Sequence, residues 1–112
     1  MEVYFVLDER GDPRKVSDVA AWLHWCERAD RGVARTAVTP DIAVLTTFSG
    51  FDEPGEGRAP LLFATRVFGG VLDGEDVQHP TRADALAGHA MLVAWCRLGN
   101  LPNGGVTAEQ IT

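Results

Sequence analysis

The strongest constraint on the fold is the stretch from residue 44 to residue 96, which combines strand and helix signals. Two apolar runs, residues 44–49 and 61–68, have the length and residue types of β-strands. A loop rich in glycine and acidic residues separates them, and a second such loop precedes a helix that begins at Thr81. This order of strand, strand and helix predicts an α+β domain.

The segments before this stretch add further strands and a first helix. Residues 3–7 form a strand that is apolar on both faces, and residues 33–38 form a weaker strand that a turn at 39–41 joins to a strand at 42–48. Ser17 is suited to cap a helix between them, because its hydroxyl can accept a hydrogen bond from the first turn. One face of that helix carries Val19, Trp22, Leu23 and Cys26.

The predicted element order is β-α-β-β-β-(β)-α, in which the bracketed strand is a brief edge strand at 77–79. This order indicates a mainly antiparallel sheet of four or five strands with two helices packed on it. We expect residues 1–101 to form one domain and residues 102–112 to be a flexible C-terminal tail, because Pro102, Gly104 and Gly105 disfavour regular structure there.

Cysteine usage and hydropathy predict a cytoplasmic protein. Cys26 and Cys96 lie among apolar residues in helical segments, which is typical of free buried thiols. The apolar run at the N-terminus is too short for a signal peptide, and no run reaches the length of a membrane span. We therefore expect no membrane association.

Negative charge is concentrated in the two loops of the central stretch. The formal net charge of the chain is −6, and residues 50–76 alone carry −4. Such a surface repels phosphate groups, so the sequence disfavours nucleic-acid binding. The loops either face a partner protein with a basic surface or are simply solvated. The carboxylates are Asp52, Glu53, Glu56, Asp73, Glu75 and Asp76.

Several short motifs between Ala21 and His89 carry a family resemblance. They are residues 21–25 (AWLHW), 30–31 (DR), 33–34 (VA), 46–52 (TTFSGFD), 60–65 (PLLFAT), 67–70 (VFGG) and 87–89 (AGH). In these motifs the chain resembles small proteins of unassigned function that tailed phages and prophages encode. Nine arginines against the single Lys15 indicate a high-GC genome. The resemblance implies a phage context and assigns no functional residue.

No motif for catalysis, a metal or a cofactor is present. The residues that could bind a metal are not spaced for it, since His24 and Cys26 lie about 200° apart around a helix. Ser49 lacks the Gly-x-Ser-x-Gly setting of a hydrolase nucleophile, and the loop at 69–76 lacks the signatures of phosphate and calcium loops. The prediction is therefore no catalytic residue, no metal and no cofactor.

His89 admits two interpretations. It lies near the middle of a predicted apolar helix face formed by Ala85, Leu86, His89, Leu92, Val93 and Cys96. A histidine there is usually a core residue that hydrogen-bonds the backbone through one ring nitrogen. The functional alternative is a pH-sensitive or catalytic imidazole in a pocket at the rim of the sheet.

The same helix carries a second apolar stripe, in which Met91, Trp95 and Leu98 form a ridge. The ridge is covered by another part of the chain, or it is an interface. We expect an interface, either a symmetric homodimer contact or a docking surface for a host protein.

Together these observations predict a small acidic, non-enzymatic protein-binding module. In a phage context it would modulate a host protein or a host defence. One alternative is a small enzyme or ligand-binding domain with a site near His89 and the 50–59 loop. The other alternative is a structural phage component.

Overall fold

The computed structural model describes residues 2–55 and 57–99, so Glu56 and the predicted tail at 102–112 lie outside the described residues. Within them the chain forms seven strands and two helices, which confirms the predicted α+β class. In chain order the elements are β1 (Val3–Leu7), β2 (Pro13–Val16), α1 (Val19–Arg28), β3 (Gly32–Thr39), β4 (Ile42–Phe48), β5 (Phe51–Asp52), β6 (Phe63–Phe68), β7 (Asp76–His79) and α2 (Arg82–Gly99).

The strands form two antiparallel sheets, whereas the sequence predicts one. The first sheet has the order β2-β1-β5 and the second has the order β3-β4-β6-β7. The prediction lacks β2 and β5 because β2 has the sequence Pro-Arg-Lys-Val and β5 has only two residues, so neither shows apolar alternation. Both pair with β1 through the backbone, which a side-chain pattern does not reveal.

Gly50 marks the point where the chain leaves the second sheet and enters the first. It lies between β4 and β5, and its carbonyl accepts a hydrogen bond of 2.7 Å from the Phe5 N–H on β1. A Cβ on Gly50 would lie 2.6 Å from the Phe5 carbonyl oxygen, and the φ of Gly50 is +73°. Any other residue would clash with this oxygen through its Cβ and would be strained at this φ, so glycine is required where the two sheets join.

Helix α1 has a different cap from the one that the sequence predicts. Asp18, not Ser17, is the N-cap residue, and its carboxylate accepts hydrogen bonds of 3.0 and 3.3 Å from the N–H groups of Ala20 and Ala21. A carboxylate also has a favourable interaction with the positive end of the helix dipole, which a serine hydroxyl lacks.

Two tryptophans hold α1 against the strands, although no residue of α1 is fully buried. The Trp22 Nε1–H donates a hydrogen bond of 3.0 Å to the Phe5 carbonyl, and its ring packs 5.0 Å from the ring of Tyr4. The Trp25 ring meets Phe48 edge-on at 5.9 Å. The attachment of α1 thus depends on aromatic contacts rather than on a buried aliphatic face.

Helix α2 covers one face of the four-stranded sheet, and this packing forms the core. Thr81 caps α2 as predicted, because its hydroxyl accepts a hydrogen bond of 3.1 Å from the Asp84 N–H. The buried residues of the helix are Ala85, His89, Leu92, Val93 and Cys96. On β4 and β6 every second residue is buried beneath it, namely Ile42, Val44, Thr46, Phe48, Phe63, Thr65 and Val67.

Gly88 allows α2 to lie close to the edge strand β7. A Cβ on Gly88 would be 2.4 Å from Cε1 of His79, so the imidazole occupies the space of a side chain. Glycine inside a helix costs about 1 kcal/mol relative to alanine, and the close approach explains why it is present here. The Nε2 atom of His79 is buried and has no hydrogen-bond partner among the described residues.

Gly69 and Gly74, in the loop between β6 and β7, provide a test of the close contact between this loop and the turn that joins β3 to β4. Gly69 and Gly74 both have left-handed φ angles, +84° and +88°, but a Cβ would lie 1.9 Å from the Asp41 carbonyl oxygen at Gly69 and would meet nothing within 4 Å at Gly74. We predict that Gly74→Ala lowers the free energy of unfolding by about 1–2 kcal/mol, the conformational cost alone. Gly69→Ala should lower it by about 3 kcal/mol or more, because backbone must also move. Equal losses in denaturant titrations would contradict the close contact.

Candidate functional site

The surface of α2 that faces away from the sheet carries no charge over three turns. Residues 85–96 include no Asp, Glu, Lys or Arg, and every exposed residue among them is apolar. Met91 is 52% exposed, Leu98 46% and Leu86 43%. We name this surface the α2 outer face, formed by Leu86, Ala87, Ala90, Met91, Ala94 and Leu98. No helix among the described residues is long and apolar enough to cross a bilayer.

Trp95 lies at the border of the α2 outer face. Of the predicted ridge, Met91 and Leu98 are exposed, whereas Trp95 is half-buried and packs against the core beside Ile42 and Cys96. Leu86, which the sequence places on the core face, is instead exposed because it lies roughly 80° from the centre of that face. The exposed apolar surface of α2 therefore includes less of Trp95 than predicted, and it extends to Leu86 near the start of the helix.

Asp52, in the first acidic loop, is used to stabilise the fold. Its Oδ2 atom accepts a hydrogen bond of 2.9 Å from the Leu61 N–H and lies 3.0 Å from the Arg58 guanidinium. The Leu61 hydrogen bond, helped by Arg58, lowers the pKa of Asp52 below its ordinary value. Asp52 thus closes the loop that ends before β6, and Glu53 in the same loop is exposed.

The second acidic loop joins β6 to β7. Asp73 Oδ1 accepts a hydrogen bond of 2.7 Å from the Gly69 N–H, and Asp76 forms an exposed ion pair of 2.8 Å with Arg66. Glu75 is exposed and has no cationic partner among the described residues. Residues 69–72 of this loop line a small cavity together with Trp95 and Gly99, so the loop lies beside the C-terminal half of α2.

His89 is a core residue whose two ring nitrogens both have partners. Its Nε2 lies 2.9 Å from Oγ1 of Thr36, and its Nδ1 lies 2.8 Å from Oγ1 of Thr46. Thr46 also hydrogen-bonds the hydroxyl of Thr65 at 2.7 Å. The partners of His89 are side chains on β3 and β4, and Thr65 on β6 joins them through Thr46, whereas the sequence suggests one backbone partner for His89. We name these four residues the His89 network.

The His89 network accommodates the imidazole in either tautomer. The neutral ring donates one hydrogen bond and accepts another, and the hydroxyls can reverse direction to match. A protonated ring would donate to Thr36 and Thr46, which can both accept, so no hydrogen bond is lost. Burial alone therefore opposes the charge, and it lowers the pKa of His89 below its ordinary value of 6.5.

An enclosed cavity of about 60 Å³ lies between the β6–β7 loop and α2, and His89 is not among its lining residues. Its side chains are mainly apolar, and Cys96 lies in its wall. Ligand pockets for drug-sized molecules are about 300–1,000 Å³, so this cavity is too small for one. Burial raises the pKa of the Cys96 thiol, which disfavours the nucleophilic thiolate.

The histidine and cysteine side chains, which are the usual metal ligands in proteins, are dispersed in the described structure. Among residues 2–55 and 57–99 no three histidine, cysteine or acidic side chains come together. Cys26 and Cys96 are both free thiols, one in each helix. His24 is exposed on α1. His79 lies against Gly88 of α2, whereas His89 is itself on α2 and hydrogen-bonds Thr36.

The sequence prediction omits three residues that matter for the candidate site: Thr46, Thr65 and Val71. Thr46 and Thr65 are polar residues at apolar positions of two neighbouring strands, and this irregularity is the signal that indicates a buried network. Val71 is 51% exposed in the loop beside α2 and extends the apolar surface. The loop position of Val71 gives no periodic signal, so sequence reasoning overlooks it.

Comparison of the chain with protein-family models, curated proteins and solved structures found no match.

The pKa of His89 predicts acid sensitivity of the fold. Because the folded-state pKa is lowered, the stability that neutral His89 contributes is fully present above the ordinary pKa of 6.5 and is lost as the pH falls below it toward the folded-state pKa. We expect the free energy of unfolding to fall as the pH is lowered through and below 6.5. His89→Gln should weaken this dependence, whereas His24→Gln on exposed α1 should not. Identical pH profiles for both variants would contradict the assignment.

Thr46→Val tests the His89 network without changing the side-chain shape. It removes the hydroxyl that contacts both His89 and Thr65, so we expect a loss of about 1–3 kcal/mol in the free energy of unfolding. Thr47→Val, one residue along β4 on the other face, should change stability by no more than about 0.5 kcal/mol. Denaturant titration of both variants gives the comparison, and an unchanged Thr46→Val protein would mean that the network adds nothing.

Proposed function

We propose that this protein is a small acidic, non-enzymatic binding module that docks a partner protein through the α2 outer face. The observation that supports this most is that every exposed residue between Asp84 and Arg97 is apolar. In the phage context that the resemblance implies, the module acts in the host cytoplasm, and its partner is a host protein or a component of a host defence.

The energetics indicate what the partner must supply. Met91, Leu98, Leu86 and Val71 are each about half exposed, so burying the remainder gains about 1 kcal/mol per side chain. About 4 kcal/mol in total corresponds to a weak complex once the entropy lost on association is subtracted. A stable complex therefore needs contacts beyond the α2 outer face.

The β6–β7 loop supplies the additional contacts. It lies beside the C-terminal half of α2, and its Glu75 is exposed and without a cationic partner in the described chain. A partner that presents an apolar groove or helix for α2 and a basic residue opposite Glu75 would use both features. Asp73 and Asp76 are already engaged within the chain, so Glu75 is the carboxylate in this loop that is available to a partner.

The alternative of an enzyme with a site near His89 and the 50–59 loop is not supported by the contacts of His89. An active-site imidazole is expected to line a cleft together with other polar groups. His89 is 6% exposed, its ring nitrogens bind threonines of the core, and no described residue of the 50–59 loop is among its partners. The structural alternative requires periodic self-assembly, which the sedimentation experiments below would reveal.

A photo-crosslinking experiment tests the docking surface. A benzophenone amino acid replaces Met91 in one protein and Leu23 in another, and each is expressed in a bacterial host and irradiated. Both positions are 52% exposed on a helix, so Leu23 is a matched control for exposure and residue type. We expect a discrete crosslinked host protein from position 91 and none from position 23.

Variants then establish that the crosslink reports binding. Met91→Asp should abolish retention of the same host protein, because a buried charge at the contact costs several kcal/mol, while Leu23→Asp should not change it. Glu75→Gln should reduce retention at low salt. The proposal fails if Met91→Asp and Leu23→Asp retain the host protein equally, or if position 91 crosslinks only to a second copy of this chain.

A further inference from the structure

The four-stranded sheet has a second face that α2 does not cover. Helix α2 contacts the sheet from one side, and α1 packs on β1 and β2. We name the uncovered side the open sheet face. The side chains of β4 on this side are half-buried, and those toward the margins of the face are exposed, Phe68 by 47%. The open sheet face consists of Arg35, Ala37, Ala43, Leu45, Thr47, Ala64, Arg66, Phe68, Asp76 and Gln78.

The strand register arranges these side chains in rows across the sheet. One row runs Arg35, Leu45, Arg66, Asp76 from β3 to β7, and the next runs Ala37, Ala43, Phe68. Residues directly opposite each other in antiparallel strands project to the same side, so each row is a line of adjacent side chains about 4.8 Å apart.

The charged row has opposite signs at its two ends. Arg35 on β3 is exposed and has no carboxylate within ion-pair distance in the described chain. Asp76 on β7 is exposed and bonds Arg66 through a single oxygen, Oδ2, which leaves the other oxygen open to a second donor. A cation thus stands at one edge of the face, and a carboxylate with spare acceptor capacity stands at the opposite edge.

We propose that the open sheet face binds a second copy of this chain in a symmetric, sheet-on-sheet dimer. A two-fold axis parallel to the strands, between β4 and β6, places β3 over β7 of the second copy and β4 over β6. Each row then faces the same row in reverse order. Arg35 of each copy meets Asp76 of the other, and two ion pairs form, one at each edge of the contact.

The row of Ala37, Ala43 and Phe68 is also complementary to itself under the two-fold rotation of the dimer. Phe68 of each copy lies over the small side chain of Ala43 in the other, so a large residue meets a small one at both places. Leu45 faces the aliphatic stem of Arg66, which a leucine can cover while the guanidinium remains bonded to Asp76. Stacked sheets pack about 10 Å apart when side chains interdigitate in this manner.

Charge and size favour a second copy over other occupants. A nucleic acid would place phosphates against Asp76, and Phe68 is the only aromatic residue on the face, so no stacking platform exists. The face measures about 20 Å by 17 Å from its strand number and length, which is small for a permanent interface. The dimer is therefore reversible and depends on protein concentration.

Dimerisation through this face leaves both copies of α2 on the outside. Helix α2 covers the opposite side of each sheet, so the two α2 outer faces point away from each other in the dimer. The dimer inference rests on the sheet alone and does not depend on the proposed function. If both hold, the protein is bivalent and gains avidity for a partner that is itself dimeric or repeated.

Sedimentation velocity of the full chain over a wide concentration range tests the dimer. We expect a monomer–dimer equilibrium in the wild-type protein. Arg35→Asp places a carboxylate opposite Asp76 and should raise the dimer dissociation constant about tenfold or more. Combining Arg35→Asp with Asp76→Arg and Arg66→Asp reverses the sign of the pairs between copies and of the 66–76 pair within each chain, and should restore most of the affinity. Arg14→Asp, which makes the same charge change on exposed β2, is the matched control and should leave the constant unchanged.

Phe68→Ala provides a second, uncharged test, since it removes the large member of the Phe68–Ala43 contact and should also weaken the dimer. Thermal unfolding of each variant at a concentration where it is monomeric shows whether it is folded. The proposal is overturned by a wild-type protein that stays monomeric throughout. It is equally overturned by a dimer that Arg35→Asp and Phe68→Ala leave intact. A dimer that only Met91→Asp dissociates would place the second copy on the α2 outer face.

Discussion

A single helix covers a single face of the four-stranded sheet, and the rest of the structure depends on that packing. The buried residues of α2 meet the alternate residues of β4 and β6, and together they form most of the core. Because one helix has only one inward face and a sheet has two sides, the arrangement leaves the α2 outer face and the open sheet face uncovered. Both surfaces contain large apolar side chains, so the exposed apolar area of the molecule is a consequence of how its core is packed.

The His89 network specifies how α2 lies on the sheet. Its imidazole bonds hydroxyls on β3 and β4, so turning the helix about its axis or shifting it by one turn would leave buried polar groups without partners. Apolar contacts alone would tolerate several such arrangements, since leucine and valine side chains pack in many orientations. The network therefore also determines which residues of α2 face outward, and it connects a core histidine to the surface on which function is proposed.

Carboxylates that look equivalent in the sequence have different tasks in the structure. Asp52 and Asp73 bind backbone N–H groups of their own loops, and Asp76 pairs with Arg66, whereas Glu53 and Glu75 are exposed. A short aspartate reaches the backbone of its own turn more readily than the longer glutamate does, which accounts for this division. The acidic loops are thus partly structural, and the charge that remains for a partner is smaller than the composition indicates.

Local patterns in the sequence were sufficient to predict the α+β class, β4, both helices and the Thr81 cap, because alternation, helical spacing and capping chemistry act between residues close in the chain. The sequence also placed Met91 and Leu98 on the outward side of α2. Only the tertiary structure separated the strands into two sheets, since β2 and β5 are held by backbone pairing with β1 and leave no side-chain pattern. It also decided that Trp95 is half-buried, that Leu86 is exposed, and that Arg35 and Asp76 share one row. Those outcomes depend on strand register and helix rotation, which contacts between residues distant in the chain determine.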